Sequence, residues 1–484
     1  MSVSLRWRET EPPVNRPAGR PTLRETSPGA LPFLDVLKKF GADSLSFTAV
    51  ESGMRHWVDE ETDACVAYVD TGSAWVAVGA PVGPPQAVVR VARRFALAAR
   101  ASGRRACFFA TETLKAPDFS SLVIGEQPIF RPAEWLRERR GSLRGQIRRA
   151  RAKGVHVRRV EPAELDEGSH LRSRIEQLTA EWLASRHMEP MGFAAAVEPF
   201  HHPEEHRYFV AERRGEVIEF LSAVPIYARD GWLVEDVIRG ESVPNGTTEL
   251  LLDAFARDVA SSRMLTLGLS PLTGNVVWPL RLARVAMRPL FDFTGLRAFR
   301  ERLHPESWEP VFLVYPKSES WIVHVVEALR AMARGSLIRF GARSLVRHPS
   351  GPPWLLSLPL VPWCAALACL ALTHRAPWLG FSASQLAAWV VFDIALALAL
   401  FRAALRPRLT SLVPVTALAA LDAALSLEHA VRVGFGATWV DASLRLTAVV
   451  APCCGALVLG WACLRATKSS SGKAATPRIE RAKS

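Results

Sequence analysis

Cysteine is sparse where it would carry information. Of seven in 484 residues, only Cys65 and Cys107 fall in the first 350, and the other five lie in apolar segments. No CxxC pair occurs, so neither a zinc ribbon nor a disulfide framework is supported. The first 30 residues are polar and Pro-rich and lack the apolar core of a signal peptide, so the region behind them is expected to remain on the cytoplasmic side. Histidine clusters once, at His201, His202 and His206 around Glu204 and Glu205. That spacing fits no strong zinc motif and Pro203 marks an exposed loop, so no metal is expected. Asp, Glu and Lys almost disappear between residues 351 and 465, a deficit that excludes an ordinary solvated surface there.

What fills that interval is apolar. Four stretches, 354–373, 382–401, 411–427 and 444–464, are each long enough to cross a bilayer core of ~30 Å. Arg330, Arg334, Arg339, Arg343 and Arg347 precede the first, Arg402, Arg406 and Arg408 separate the second from the third, and a basic tail follows the fourth. The other two connections hold only Arg375 and Arg432, so the bias of positive charge predicts both termini in the cytoplasm. Residues 321–347 mix Trp, Ile, Val and Leu with spaced Arg, as an interfacial helix would. Asp393 and Asp422 fall inside the second and third stretches, where carboxylates are costly.

The first 350 residues alternate β-rich and helical runs, which predicts α/β layering. Strands are expected at 65–69, 75–78, 106–110, 208–211, 217–225, 233–238 and 265–269, and helices through Val88, Val91 and Phe95, at 171–184 and at 248–259. The formal charge of +13 is concentrated: 131–159 carries eleven basic residues against Glu134 and Glu138. Arg137, Arg140, Arg144, Arg148 and Arg151 recur at helical steps, with Leu143, Ile147 and Ala150 as the docking edge. Such a stripe suits phosphate without base specificity, on a polyanion such as nucleic acid or anionic lipid.

Several segments are then recognisable. Val234-Glu235-Asp236-Val237-Ile238-Arg239 resembles the Asp-x-x-Arg strand motif of bacterial phosphatidylglycerol lysyltransferases, the catalytic domain of the multiple peptide resistance factor family. Leu267-Gly268-Leu269-Ser270-Pro271-Leu272-Thr273-Gly274 resembles that family's LGxxPLSG turn, and Phe291 to Arg300 its FxxFxGLRxFK segment. Trp308-Glu309-Pro310 with Tyr315-Pro316 resembles its WEPxYLxYP close, and the run from Val78 to Pro84 and Trp182 with Met191-Gly192-Phe193 also fit. The likeness spans residues 35–316. It implies tandem GNAT-like acyltransferase domains, here 31–160 and 161–316, after a disordered segment 1–30 and before a basic juxtamembrane helix 317–350, a four-helix transmembrane module 351–465 and a tail 466–484. Three features depart from the family pattern. The apolar helices follow the catalytic region rather than precede it, Ala80 replaces an acid, and Arg300 replaces a Lys.

The resemblance implies transfer of an aminoacyl group from aminoacyl-tRNA to a membrane phospholipid at the cytoplasmic leaflet of a bacterial inner membrane, with no cofactor. Asp236 would bind the aminoacyl ammonium or deprotonate the acceptor, and Arg239 would act beside it; a structural Asp236–Arg239 ion pair is the competing reading. Arg297 and Arg300, with the Gly268, Pro271 and Gly274 turn, would hold substrate, and Arg144, Arg148 and Arg151 would hold tRNA or lipid phosphate. Two other functions remain open: a GNAT enzyme using acyl-CoA or acting on peptide amines, and a non-catalytic regulatory membrane protein. Pro244 to Glu249 stands where a CoA-binding loop would precede the central helix, in degenerate form.

Overall fold

Apolar residues on both faces of 65–78 demand a strand covered on each side. In the computed structural model, which describes residues 32–138, 141–186, 188–287, 291–347 and, beyond these, chiefly three helices, this segment is a hairpin. Its strands β2 (Cys65–Asp70) and β3 (Ala74–Val78) follow β1 (Arg55–Val58), the helix α1 (Pro32–Phe40) and a 3-10 turn Ser44–Val50. Helix α2 (Val88–Ala101) buries Val91 and Phe95 as the pattern predicts, and leads to β4 (Arg105–Thr111) and β5 (Phe119–Phe130). The connecting segment is α3 (Pro132–Glu138) and α4 (Gly141–Ala152). The second round runs β6 (Val155–Val160), α5 (His170–Ser185), β7 (Arg207–Arg213), β8 (Glu216–Ile226), β9 (Gly231–Arg239), α6 (Thr247–Asp258) and β10 (Met264–Thr266). It closes with β11 (Ser270–Pro271), α7 (Trp278–Ala286), α8 (Phe293–Glu301) and β12 (Ser307–Pro316), before α9 (Trp321–Met332) and α10 (Leu337–Arg347).

All strands join one mixed sheet, in the order β1-β2-β3-β4-β12-β5-β10-β9-β8-β7-β6, with β11 beside β5. Among the described residues only β3–β4 and β9–β10 pair in parallel, each pair bridged by a helix, α2 and α6. This is one antiparallel run ending in a βαβ crossover, made twice, in keeping with the expected GNAT-like α/β fold. The halves then exchange their last strands: β5 pairs with β10 of the second round, and β12 with β4 of the first. The two exchanged strands pair with each other over their whole lengths.

Side chains divide the sheet into two faces. Val76, Cys107, Leu233, Val311 and Leu313 share one core with α1, α7 and α9. Trp75, Phe108 and Val314 pack with α2 on the other face, where Phe130, Val234 and Leu265 pack with α4 and α6. The first is called the front here and the second the back.

Two expectations change, and a third is met in part. The strand expected at 265–269 pairs only as Met264–Thr266, because beyond Leu233 and Thr266 β9 and β10 diverge. The basic helix is two helices, so Arg137 sits on α3, apart from Arg144, Arg148 and Arg151 on α4; Arg140 lies outside the described residues. Of the four apolar stretches, the first lies outside the described residues, as do the segments 1–30 and 466–484. The others correspond to helices Ala383–Leu405, Leu409–Val433 and Pro452–Leu464. Among the described residues one helix, Thr410–His429 with mean hydropathy 1.6, is long and apolar enough to cross a membrane.

Candidate active site

Strand β9 carries the chemistry because its alternation is broken. Ala223 of β8 faces Val234 and Ser222 faces Asp236, so Glu235 is an extra residue in the strand. A bulge of this kind turns two successive side chains to one side. Val234 and Val237 pack in the back core, which leaves both Glu235 and Asp236 on the front. Ser222 Oγ donates to Asp236 Oδ2 at 3.3 Å.

Chain segments distant in sequence complete the cluster. The 3-10 turn Ser44–Val50 ends at Glu51, and Ser52 Oγ donates to exposed Glu198 at 2.7 Å. His206, expected in an exposed loop, is instead buried at 3% exposure, stacked on Tyr208 and edge-on to Phe47. Its Nδ1 is 3.0 Å from the His202 carbonyl oxygen, which can only accept, so Nδ1 bears a proton. Nε2 stands 3.3 Å from Glu235 Oε2, a contact that requires another proton on one of the two. Burial and the neighbouring Glu235 push the Asp236 carboxyl up to about 8. Burial, then the same Glu235, push Glu51 up to about 9. The charges acting on Glu51 and Asp236 are carboxylates, with no cation beside them among the described residues. Such a pocket gains most from a bound cation, which lets its carboxyls ionise.

Arg239 is on the other face. Three residues beyond Asp236, it is exposed, faces Glu219 across the ladder and donates to the Val243 carbonyl at 2.9 Å. Among the described residues Asp236 and Arg239 form no ion pair. Glu219, wholly buried and raised to about 7 by burial, accepts from Thr248 Oγ1 at 2.5 Å in the first turn of α6. That helix start is closed from outside as well: a Cβ on Gly246, whose φ is +94°, would lie 2.2 Å from the Gln146 carbonyl oxygen of α4. In the first half a buried carboxylate, Asp43, sits beyond the ends of β3 and β4. Asp43 accepts from the Ala80, Glu112 and Thr113 amides, at 2.6, 3.1 and 3.1 Å, and from Thr113 Oγ1 at 2.8 Å.

The turn after β10 is clamped by the two arginines read from its sequence. Arg300 donates to the Gly268 carbonyl at 2.8 Å, to Ser270 Oγ at 2.7 Å and to the Leu267 carbonyl. Burial lowers its guanidinium to about 10. Arg297 pairs with Glu126 and lies 4.1 Å over the Trp308 ring. Pro271 pairs in register with Gly125 of β5, and at Gly274 (φ +74°) any Cβ would collide with Glu126. These residues form one rigid assembly beside the divergence of β9 and β10. A second network, Glu112–Arg229–Glu309, ties the β8–β9 turn to both β4 and β12, at 2.5 and 3.1 Å.

On the back, Leu143, Ile147 and Ala150 are buried against α6, as expected, and Arg144 and Arg148 project outward. Arg151 differs: it lies 3.7 Å from buried Asp253, which also pairs with Arg257. Sequence reasoning reached Asp236 but not Glu235, Glu51, Glu198 or His206 as its companions. Glu235 adjoins Asp236 in the motif, and that adjacency was the one available signal.

The family model described as phosphatidylglycerol lysyltransferase, C-terminal, matches residues 34–315. The phosphatidylglycerol lysyltransferase of Bacillus subtilis (strain 168) is 26% identical over 173 residues, 33% of this chain and 20% of that protein. That of Staphylococcus xylosus is 21% identical over 325 residues, 62% of this chain and 37% of that protein. The chain therefore spans well under half the length of either relative. The C-terminal domain of a putative lysylphosphatidylglycerol synthetase from Agrobacterium fabrum has the same fold, with a TM-score of 0.53 at 19% identity over 63% of this chain and 97% of that one. The L-PGS structure from Bacillus licheniformis does so at 0.54 and 21%, with the same coverage.

Proposed function

Because the chain belongs to the phosphatidylglycerol lysyltransferase C-terminal family, a family of transferases, we propose that it moves an amino acid, lysine or similar, from aminoacyl-tRNA to a phospholipid such as phosphatidylglycerol. The observation that carries this reading is the convergence of Glu51, Glu235 and Asp236 on one face, where the charges acting on Glu51 and Asp236 are carboxylates. An aminoacyl donor brings an ammonium, and a lysyl donor two, which such a cluster holds without further adaptation. Asp236 takes the ammonium or the acceptor's proton, and the Glu235–His206 pair relays that proton. The lipid hydroxyl oxygen attacks the ester carbonyl, a new ester forms, and the tRNA ribose oxygen leaves with the proton. Arg144 and Arg148 bind tRNA or lipid phosphate from the back, and Arg239, exposed on that face, adds a further charge.

An acyl-CoA donor is disfavoured by the closed helix start of α6. In this reading the apolar segments after residue 350 form the four-helix anchor that keeps the site at the cytoplasmic leaflet of a bacterial inner membrane, with both termini in the cytoplasm. The test supplies purified full-length chain with radiolabelled aminoacyl-tRNAs and phosphatidylglycerol vesicles, and extracts the lipid. Label in an aminoacyl-lipid is expected. Turnover of acyl-CoA with no labelled lipid from any aminoacyl-tRNA overturns the proposal.

A further inference from the structure

Helix α7 begins where physical chemistry favours a start, with Pro279 in its first turn, and its Leu280 enters the front core. Its opposite side covers nothing. Trp278, Leu282 and Val285, at i, i+4 and i+7, are 73%, 62% and 65% exposed. One such residue is ordinary, but a contiguous stripe that includes a tryptophan marks an interaction surface. Helix α9 repeats the arrangement, turning Ala328 and Ala331 into the same core and leaving Ile322, Val326 and Leu329 exposed at the same spacing.

We propose that α7 is a bilayer-docking helix that, together with α9, seats the front of the sheet on an anionic lipid surface. This rests on the reading that the acceptor is a phospholipid. Charge selects this occupant. From 275 to 291 the sequence holds Arg281, Arg284 and Arg288 and no acid, so every charge along this segment is positive. Arg281 and Arg284 donate to the Val276 and Leu272 carbonyls at 2.8 and 3.0 Å, which fixes their guanidinium groups beside the stripe. Arg and Trp at the edge of an apolar helix face suit the boundary between head groups and acyl chains. Chain direction agrees, since α9 passes through α10, with exposed Arg339 and Arg343, into the apolar sequence beyond residue 350. Glu235 and Asp236 open on the front as well, so docking there would bring the lipid head group to the carboxylates, while the α4 stripe on the back stays free for a second polyanion.

The test places a benzophenone amino acid at 282, at 326 or at 97 in the full-length chain reconstituted in phosphatidylcholine vesicles with and without phosphatidylglycerol. Leu97 is 65% exposed but lies on α2, at the back, and serves as an equally apolar control. Illumination should give lipid adducts at 282 and 326 several-fold above those at 97, with more at 282 when phosphatidylglycerol is present. Equal yields at 282 and 97, or adducts at 282 only to a second copy of the chain, overturn the proposal. Trp278→Ser/Leu282→Ser/Val285→Ser should raise KM several-fold for vesicle-borne acceptor and leave kcat unchanged for acceptor dispersed in micelles. If the unsubstituted chain makes no aminoacyl-lipid, the assigned reaction fails, and the adduct yields still decide whether α7 meets lipid.

Discussion

Glu235 and Asp236, neighbours in sequence, face the same side of β9, because the ladder passes from Ala223↔Val234 to Ser222↔Asp236 and leaves Glu235 as an added residue. In an unbroken strand they would point apart, one into each core. Placed together beside Glu51, they bring carboxyl groups close enough that burial and the Glu235 charge raise both Asp236 and Glu51 well above the usual carboxylate range.

Asp236→Asn keeps the shape and removes the charge. Aminoacyl-lipid formation should fall by on the order of 100-fold or more, as for a lost base or charged substrate contact. The melting temperature of the same sample should hold or rise above pH 8, because Asn spares the fold a buried charge. A stable Asp236→Asn protein with full activity removes Asp236 from the site.

The raised carboxyls give stability a definite pH dependence. In the folded chain Asp236 titrates at about 8 rather than 3.8 and Glu51 at about 9 rather than 4.5, so the fold favours their protonated forms. That contribution is complete below their ordinary values and is lost as pH rises through 8 to 9. The melting temperature of the unsubstituted chain should therefore drop between neutral pH and the folded values more steeply than that of Glu51→Gln/Asp236→Asn. Parallel curves would show that these carboxyls are ionised throughout.

The α4 arginines should separate into two kinds. Arg144→Gln/Arg148→Gln should weaken tRNA binding and lower its salt slope by up to ~2, with little change in folding. Arg151→Gln should also lower the melting temperature, since it removes one of the arginines that face buried Asp253. Filter binding across a salt series, with melting curves on the same proteins, checks both.

Arg300→Lys replaces a planar fork by a single ammonium, which cannot serve the Leu267 and Gly268 carbonyls and Ser270 Oγ in the same geometry. Leaving one of these buried acceptors unmatched costs roughly 1–3 kcal/mol. Denaturant unfolding should report that loss. An unchanged midpoint would mean that the clamp is dispensable.

Local pattern was enough for much of the molecule. The strands and helices from β2 through α2 to β4, and from α5 to α6, follow from apolar periodicity, and the docking edge of α4 from helical spacing. The motifs around Asp236, Gly268, Phe291 and Trp308 identified the family, because side-chain order along the chain is all such motifs require. Strands β5 and β12 escaped this reading: Ser120, Ser121, Gly125, Glu126 and Gln127 interrupt the apolar pattern of the one, and Glu309 and Pro310 that of the other. Their burial comes from being exchanged into the middle of the sheet, a long-range pairing with no local signature. The same holds for the site. Sequence determined that Asp236 lies on a strand with Arg239 three residues on. Only the tertiary structure decided that a one-residue bulge would turn Glu235 and Asp236 to the face that holds Glu51 and His206 while Arg239 turned away, because the facing of a β side chain depends on the partner strand's register and not on its own neighbours.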